Sequence, residues 1–290
     1  MTDPFERHRR LLFTVAYETL GSAADAEDTV QDAWLRWSAA DRGDVADPKA
    51  YLIRVTTRLA LNRLRAARTR RESYVGPWLP EPLLTAPDVA EEVEMAESVS
   101  MALLVVLETL SPVERAVFVL REVFGLSHHE VADVVDRSEP AVRQLAHRAR
   151  EHVRDRRPRF DTDRQTQREV TQRFLAACLN GDVAALVSSM SPGVTLVSDG
   201  GGKAKAALRP IVGADKVARF LVAVTQESAP GLQLEFADVN GAPGLIARAG
   251  TEALLAAQVQ LVAGRIEQVL IFRNPEKLTR LGTEQALSQR

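Results

Sequence analysis

The sequence predicts a multidomain chain: two all-α modules followed by an α+β domain. Three observations carry this. Apolar residues recur at helical spacing through residues 5–72 and again from Ser111 to Val153. The segment Glu72–Glu114 between them contains no lysine or arginine. Beyond about residue 230 the periodicity becomes that of strands, with Asn240-Gly241 and Ala263-Gly264 as hairpin turns.

A chain of 290 residues suits two or three domains. Its 46% hydrophobic and 26% charged residues rule out disorder throughout. The longest apolar run, Met101–Leu107, is far short of the roughly 18–20 residues of a bilayer span. The N-terminus lacks a basic-then-apolar export pattern, so a cytoplasmic location is expected. The single cysteine, Cys178, excludes an internal disulfide, and neither a metal nor a cofactor is expected.

The first module begins with a helix over Phe5–Leu20, ended by Gly21. Ser22 caps a second, whose apolar face is Val30, Ala33, Trp34 and Trp37. Asp25, Asp28, Gln31, Asp32 and Leu35 cover much of its remaining surface. After a polar turn, Asp41–Pro48, a third helix runs from Lys49 to about Arg71, burying Leu52, Val55, Leu59 and Leu64. From Arg54 to Arg71 every charged residue is an arginine, and these are expected to point outward. Three prolines in Tyr74–Leu83 then exclude a helix, leaving Trp78, Leu79 and Leu83 as apolar residues in want of a docking surface. Glu81, Asp88, Glu91, Glu92, Glu94 and Glu97 make this connector acidic.

The second module opens on Ser111-Pro112-Val113-Glu114, a capping box with proline at the first helical position. That helix stops at Gly125. Ser127-His128-His129-Glu130 starts a short helix through Val135, and Ser138 caps the next. The last helix turns Val142, Leu145, Ala149 and Val153 inward and Arg143, Gln144, His147, Arg148 and Arg150 outward. In the third domain, helices over Val170–Asn180, Val183–Met190 and Asp215–Gln226 accompany strands at Val194–Ser198, Leu232–Val239, Gly244–Ala249, Glu252–Val262 and Arg265–Arg273.

Two short helices joined by a tight turn, the second exposing arginine, glutamine and histidine, form a helix-turn-helix. An α-helix fits the major groove; arginine can pair with guanine, glutamine with adenine, and further arginines with phosphates. The same face also reads as the solvated side of a bundle helix. The Arg54–Arg71 helix is self-repelling without a nearby anion, which a nucleic-acid strand would supply. In the third domain Asp199 is the candidate general base of a cavity enzyme, and Asp199-Gly200-Gly201-Gly202-Lys203 otherwise reads as a flexible loop. No phosphate-loop spacing precedes it. His128 and His129 lack metal-binding spacing, and Cys178 reads as a small buried hydrophobe.

Asp25–Trp37 with Tyr51–Leu64 resembles region 2 of an extracytoplasmic-function (ECF) RNA polymerase sigma factor, and Leu110–Glu122 with the helix-turn-helix resembles region 4. Trp78-Leu-Pro-Glu-Pro-Leu83, Asp199–Lys203 and Asn274-Pro-Glu-Lys-Leu278 are similar to motifs of group 41, the sigma-J-like subgroup with a fused SnoaL-like (NTF2-like) domain. The resemblance implies region 2 over 1–72, a linker over 73–100, region 4 over 101–160 and the SnoaL-like domain over 163–290. It implies that Asp25, Asp28, Gln31, Asp32 and Leu35 meet the clamp helices of the polymerase β′ subunit. Arg58, Asn62, Arg63 and Arg65 would engage the −10 element. The recognition helix, through Arg143, Gln144, His147, Arg148 and Arg150, would read the −35 element, with region 4 touching the β flap. Regulation in cis would fall to Trp78, Leu79 and Leu83 with Asp199, Gly200, Gly201, Gly202 and Lys203. The Asn274, Pro275, Lys277 and Leu278 segment would touch the sigma domains. No separate anti-sigma factor and no catalysis are implied. A ligand-sensing helix-turn-helix regulator and a cavity enzyme fused to a DNA-binding module are the alternative readings.

Overall fold

The computed structural model describes residues 3–40, 45–86, 93–156, 163–226 and 231–289. Asp41 to Asp44 of the expected polar turn, and Asp88, Glu91 and Glu92 of the acidic connector, lie outside these residues, as does the expected junction between 160 and 163. The chain forms two compact units. Unit 1 comprises Met1–Ser73, Glu91–Arg157 and Ala286–Arg290; unit 2 comprises Tyr74–Ala90 and Pro158–Gln285. The segments expected as regions 2 and 4 therefore share one unit, and the extended Tyr74–Leu83 segment belongs with the C-terminal domain.

Unit 1 is all helical: α1 (Pro4–Leu20), α2 (Ala23–Ala39), α3 (Pro48–Glu72), α4 (Val93–Ser98), α5 (Met101–Leu107), α6 (Pro112–Phe118), α7 (His128–Val135) and α8 (Glu139–Arg156). Gly21 closes α1 in the left-handed conformation at φ 67°, where a side chain would be strained. Ser22 accepts a hydrogen bond from the Asp25 N–H and starts α2 within two residues. Trp37 is buried from α2, while Trp34 is half-buried against Phe5 with ring centroids 5.0 Å apart. α3 buries Leu52, Ile53, Leu59, Leu61 and Leu64; Val55, expected inside, is half-buried because Thr56 and Thr57 take the inward positions beside it. Both capping boxes form, at Ser111/Glu114 and Ser127/Glu130. α6 continues as a π-helical turn over Val119–Val123 before Gly125 ends it.

Unit 2 is an α+β domain: α9 (Arg164–Asn180), α10 (Val183–Ser189), β1 (Met190–Asp199), β2 (Ile211–Val212), α11 (Ala214–Gln226), β3 (Gln233–Val239), β4 (Ala242–Ala249), β5 (Glu252–Val262), β6 (Arg265–Phe272) and α12 (Pro275–Leu278). The sheet order is β2-β1-β6-β5-β4-β3. Strands β3 to β6 are antiparallel as expected, but β1 lies parallel to β6, a long-range pairing that no local turn encodes. The two-residue β2 also escaped the sequence pattern, being too short to alternate. α9 and α11 cover the sheet with Phe174, Cys178, Val217 and Leu221 against Leu196, Val259, Leu261 and Val269. Burial pushes the Cys178 thiol up to about 12, as befits a packed hydrophobe.

Candidate nucleic-acid interface and linker site

α7 and α8 form the expected helix-turn-helix. The Ser127 N–H donates to Glu130 Oε2 at 2.6 Å and Ser127 Oγ accepts from the Glu130 N–H at 3.2 Å, fixing the start of α7. The Ser127 contact holds the Glu130 carboxyl below its usual range. Asp136, at φ 55°, makes the turn. On α8, Val142, Ala146, Ala149 and Val153 are buried. Leu145, expected inward, is only half-buried, because the inward arc falls on Ala146, whose small side chain lets the helix sit close.

Arg143, Gln144, His147, Arg148 and Arg150 are all exposed on α8. Arg143 pairs with Glu139 at 2.5 Å, and Arg150 makes two bonds to Glu122, at 3.1 and 2.7 Å. His147 lies 3.4 Å from Glu151, and Arg148 lies 4.0 Å from Glu114. The side chains best suited to base edges and phosphates are thus splayed and held by carboxylates of their own region.

In region 2, Leu35 is 58% exposed among Asp28, Gln31 and Asp32, a lone apolar residue on an acidic surface. α3 treats its arginines differently from expectation. Arg58 donates to two backbone carbonyls in the last turn of α7, Val134 at 3.0 Å and Asp133 at 2.6 Å. A cation there suits the negative end of the helix. Arg63 donates to Asp32 at 2.7 Å and to Thr29 Oγ1 at 3.0 Å, linking the two surfaces to which opposite partners were assigned. Arg65 reaches Asn62 at 3.3 Å. Arg71 shares Glu108 with Arg115, and its other nitrogen donates to the Leu20 carbonyl at 2.9 Å.

In unit 2 the linker motif, the glycine loop and the Asn274–Leu278 segment meet at one carboxylate. Asp199 ends β1 fully buried, and rather than opening a loop it anchors one. It accepts from the Tyr74 hydroxyl at 2.5 Å, the Leu79 N–H at 2.8 Å and Lys277 Nζ at 2.7 Å. Its carbonyl accepts from the Arg273 and Asn274 N–H groups. Lys277 also donates to the Leu79 carbonyl and stands 4.0 Å from the centre of the Trp78 ring, a cation–π contact. Burial and the adjoining Asp199 push the Tyr74 hydroxyl well above its usual value. Gly201, at φ 58°, is required by close approach: a Cβ there would lie 2.8 Å from the Tyr74 hydroxyl and against Asn274. Gly200 is likewise blocked by Ala204 and Ala206, and Gly202 faces Val75.

Lys203 pairs with Glu276. Asn274 caps α12, with Pro275 in its first turn, and donates to the Tyr74 hydroxyl at 2.9 Å; Leu278 is buried. Asn274 and Lys277 thus bond to the linker, and Lys277 also to Asp199. Leu79 and Leu83 are buried. Leu83 exchanges two bonds with Asn240, its N–H to Oδ1 and its carbonyl from the N–H, both at 2.9 Å. Thr85 bonds Asp238, so the linker adds an antiparallel bridge beside the end of β3. Sequence reasoning missed Tyr74 and Asn240. Asn240 was legible only as a turn residue; its side chain is recruited by a segment more than 150 residues away.

These two sets of features define a sigma-type transcription factor with an added domain. Residues 4–70 match the family model for sigma-70 region 2 and residues 100–153 that for sigma-70 region 4. The chain is 41% identical to ECF RNA polymerase sigma factor SigJ of Mycobacterium tuberculosis, over 95% of this chain and 92% of that one. It is 34% identical to the probable ECF RNA polymerase sigma factor SigI of the same species, over 96% and 94%. Its structure resembles the crystal structure of M. tuberculosis SigJ with a TM-score of 0.78 and 38% identity, covering 97% and 99% of the two chains. The chain belongs to the ECF RNA polymerase sigma factors.

Proposed function

We propose that this sigma factor binds core polymerase through the α2 surface of Asp25, Asp28, Gln31, Asp32 and Leu35. Asn62, Arg58, Arg63 and Arg65 of α3 would then face the −10 strand, and α8 the −35 duplex. Support for the first comes from the exposed Leu35 within an acidic surface, and for the last from the exposed Arg, Gln and His side chains of α8. Strand opening needs binding energy alone, as bases leaving the stack are taken up by protein pockets. The domain limits at 72, 100, 160 and 163 belong to this reading.

The observation that carries regulation in cis is the Asp199–Lys277 pair closed around Leu79. With the linker held by its own chain, no separate anti-sigma factor is needed. The same geometry argues against catalysis: the carboxylate that would serve as a general base is filled by three donors. Among the described residues there is neither a metal-binding cluster nor a helix long and apolar enough to cross a membrane. A polymerase partner supports a cytoplasmic place of action.

In vitro transcription with core polymerase tests the regulatory part, comparing the full chain with truncations ending at Arg159 and at Arg273. Both truncations remove Lys277 and are expected to change promoter-specific output. Equal output from all three chains would overturn cis regulation.

A further inference from the structure

The junction where α1, α4 and α6 meet encloses a carboxyl group that none of these roles uses. Glu18 of α1 is fully buried, and apart from the neighbouring Ser98 hydroxyl its carboxyl oxygens have no hydrogen-bond partner among the described residues. Arg115 of α6 reaches the same place. Its Nε donates to the Glu18 carbonyl at 2.9 Å, its Nη1 is taken by Glu108, and its Nη2 has no acceptor among the described residues. From α4 the Ser98 hydroxyl stands beside Glu18 and accepts from Gln289 Nε2 at 2.8 Å. One turn back on α1, Thr14 Oγ1 accepts from the Ser288 N–H at 3.1 Å. Region 2, region 4 and the last residues of unit 1 thus close over one carboxyl.

Among the described residues, few charged groups stand around it. Arg115 faces it from α6; Arg71 of α3 and Glu108 are occupied with one another and with Leu20 and Arg115. Ser98 brings no charge, nor do Leu287, Ser288 and Gln289. An unpaired carboxylate in such a site is costly, whereas a neutral carboxyl is tolerated. Burial accordingly holds Glu18 well above the usual carboxylate range, against the smaller opposing pulls of Ser98 and Arg115.

We propose that Glu18 makes the closure of region 2 on region 4 proton-linked: the junction packs around the neutral carboxyl and, on opening, Glu18 gives its proton to water and becomes a hydrated carboxylate. The closed form holds one proton more than the open form, so acid favours closure and base favours opening. Between the ordinary carboxylate value near 4.3 and the raised value in the closed form, the open-to-closed ratio rises about tenfold per pH unit. The proposal rests on the sigma-factor reading only in taking separation of the two regions as the productive motion. The linkage itself is measurable without polymerase.

The full chain carrying Arg36→Cys on α2 and Asp155→Cys on α8, labelled with a fluorescent donor and acceptor, reports the distance between the regions. The native thiol is buried with its pKa pushed up to about 12, which leaves the labels to the engineered sites. Above the ordinary carboxylate value the open-to-closed ratio should climb about tenfold per pH unit until the raised closed-form value is passed, while Glu18→Gln in the same background stays closed with a flat profile. A profile as flat in the unsubstituted background as in Glu18→Gln overturns the proposal. If Glu18→Gln does not fold, the carbon-13 shift of the Glu18 carboxyl decides: a midpoint well above the ordinary carboxylate value is expected, and one at or below that value overturns it.

Discussion

The two arginine-lined helices of unit 1 hold their charges in opposite ways. On α8, Arg143 and Arg150 pair with Glu139 and Glu122 at the surface, and Arg150 is held in its charged form chiefly by its bonds to Glu122. Exposed pairs of this kind are worth only about 0–1 kcal/mol, so phosphate or guanine can displace the carboxylate. On α3, Arg58 caps the last turn of α7 and Arg71 joins Arg115 at a shared, largely buried glutamate. The same residue type is exchangeable surface charge on one helix and structural cement on the other. Charge runs in a sequence cannot distinguish the two; the partners contributed by the rest of the fold do.

The contrast is sharpest at Arg115, which is 1% exposed. Arg115→Ala leaves Glu108 with Arg71 alone and the Glu18 carbonyl without its donor. It should destabilise unit 1 by about 3–5 kcal/mol, the cost of removing one partner of a buried pair, read by thermal unfolding. A loss under about 1 kcal/mol would make the cluster no different from a surface pair. Arg143→Ala should leave stability nearly unchanged and weaken binding to −35 duplex by about 1–3 kcal/mol, with relaxed preference at the contacted base. Equal loss on every sequence would demote Arg143 to a phosphate contact.

Smaller again is the cap of the helix-turn-helix. Ser127→Ala should cost about 1 kcal/mol in thermal stability at neutral pH. Glu130 has its pKa lowered in the folded chain by Ser127, so its contribution is present above the ordinary carboxylate value and lost as pH falls through the folded one. The gap between the parent and Ser127→Ala should therefore narrow in acid; a gap that widens would contradict the capping account. Least of all, Glu122→Gln should change stability by less than about 1 kcal/mol. It should also slightly strengthen DNA binding by releasing Arg150, as measured by titration at fixed salt.

Local signals carried the helical half of the fold. Gly21, the two Ser-x-x-Glu boxes and the Asn240-Gly241 turn each act within a few residues, and each forms where the sequence placed it. Parallel pairing of β1 with β6 was not legible, because it joins strands separated by one helix and four other strands. The linker site was half legible. Trp78, Leu79 and Leu83 announced a docking surface, and Lys277, Asp199 and Asn240 respectively meet them, but Tyr74 looked like an ordinary loop residue until Asn274 and Gly201 closed around its hydroxyl. The outward direction of Arg58 was read from its helix alone, and its capture by α7 depends on tertiary packing that no periodicity records.

The most direct test of the central claim is run-off transcription with purified core polymerase, this chain and one promoter selected by it, with no further factor added. Transcripts starting at a single promoter-defined site should appear only when the chain is present, and the chain should co-elute with core polymerase in low salt. Absence of both the start site and the association would contradict the account.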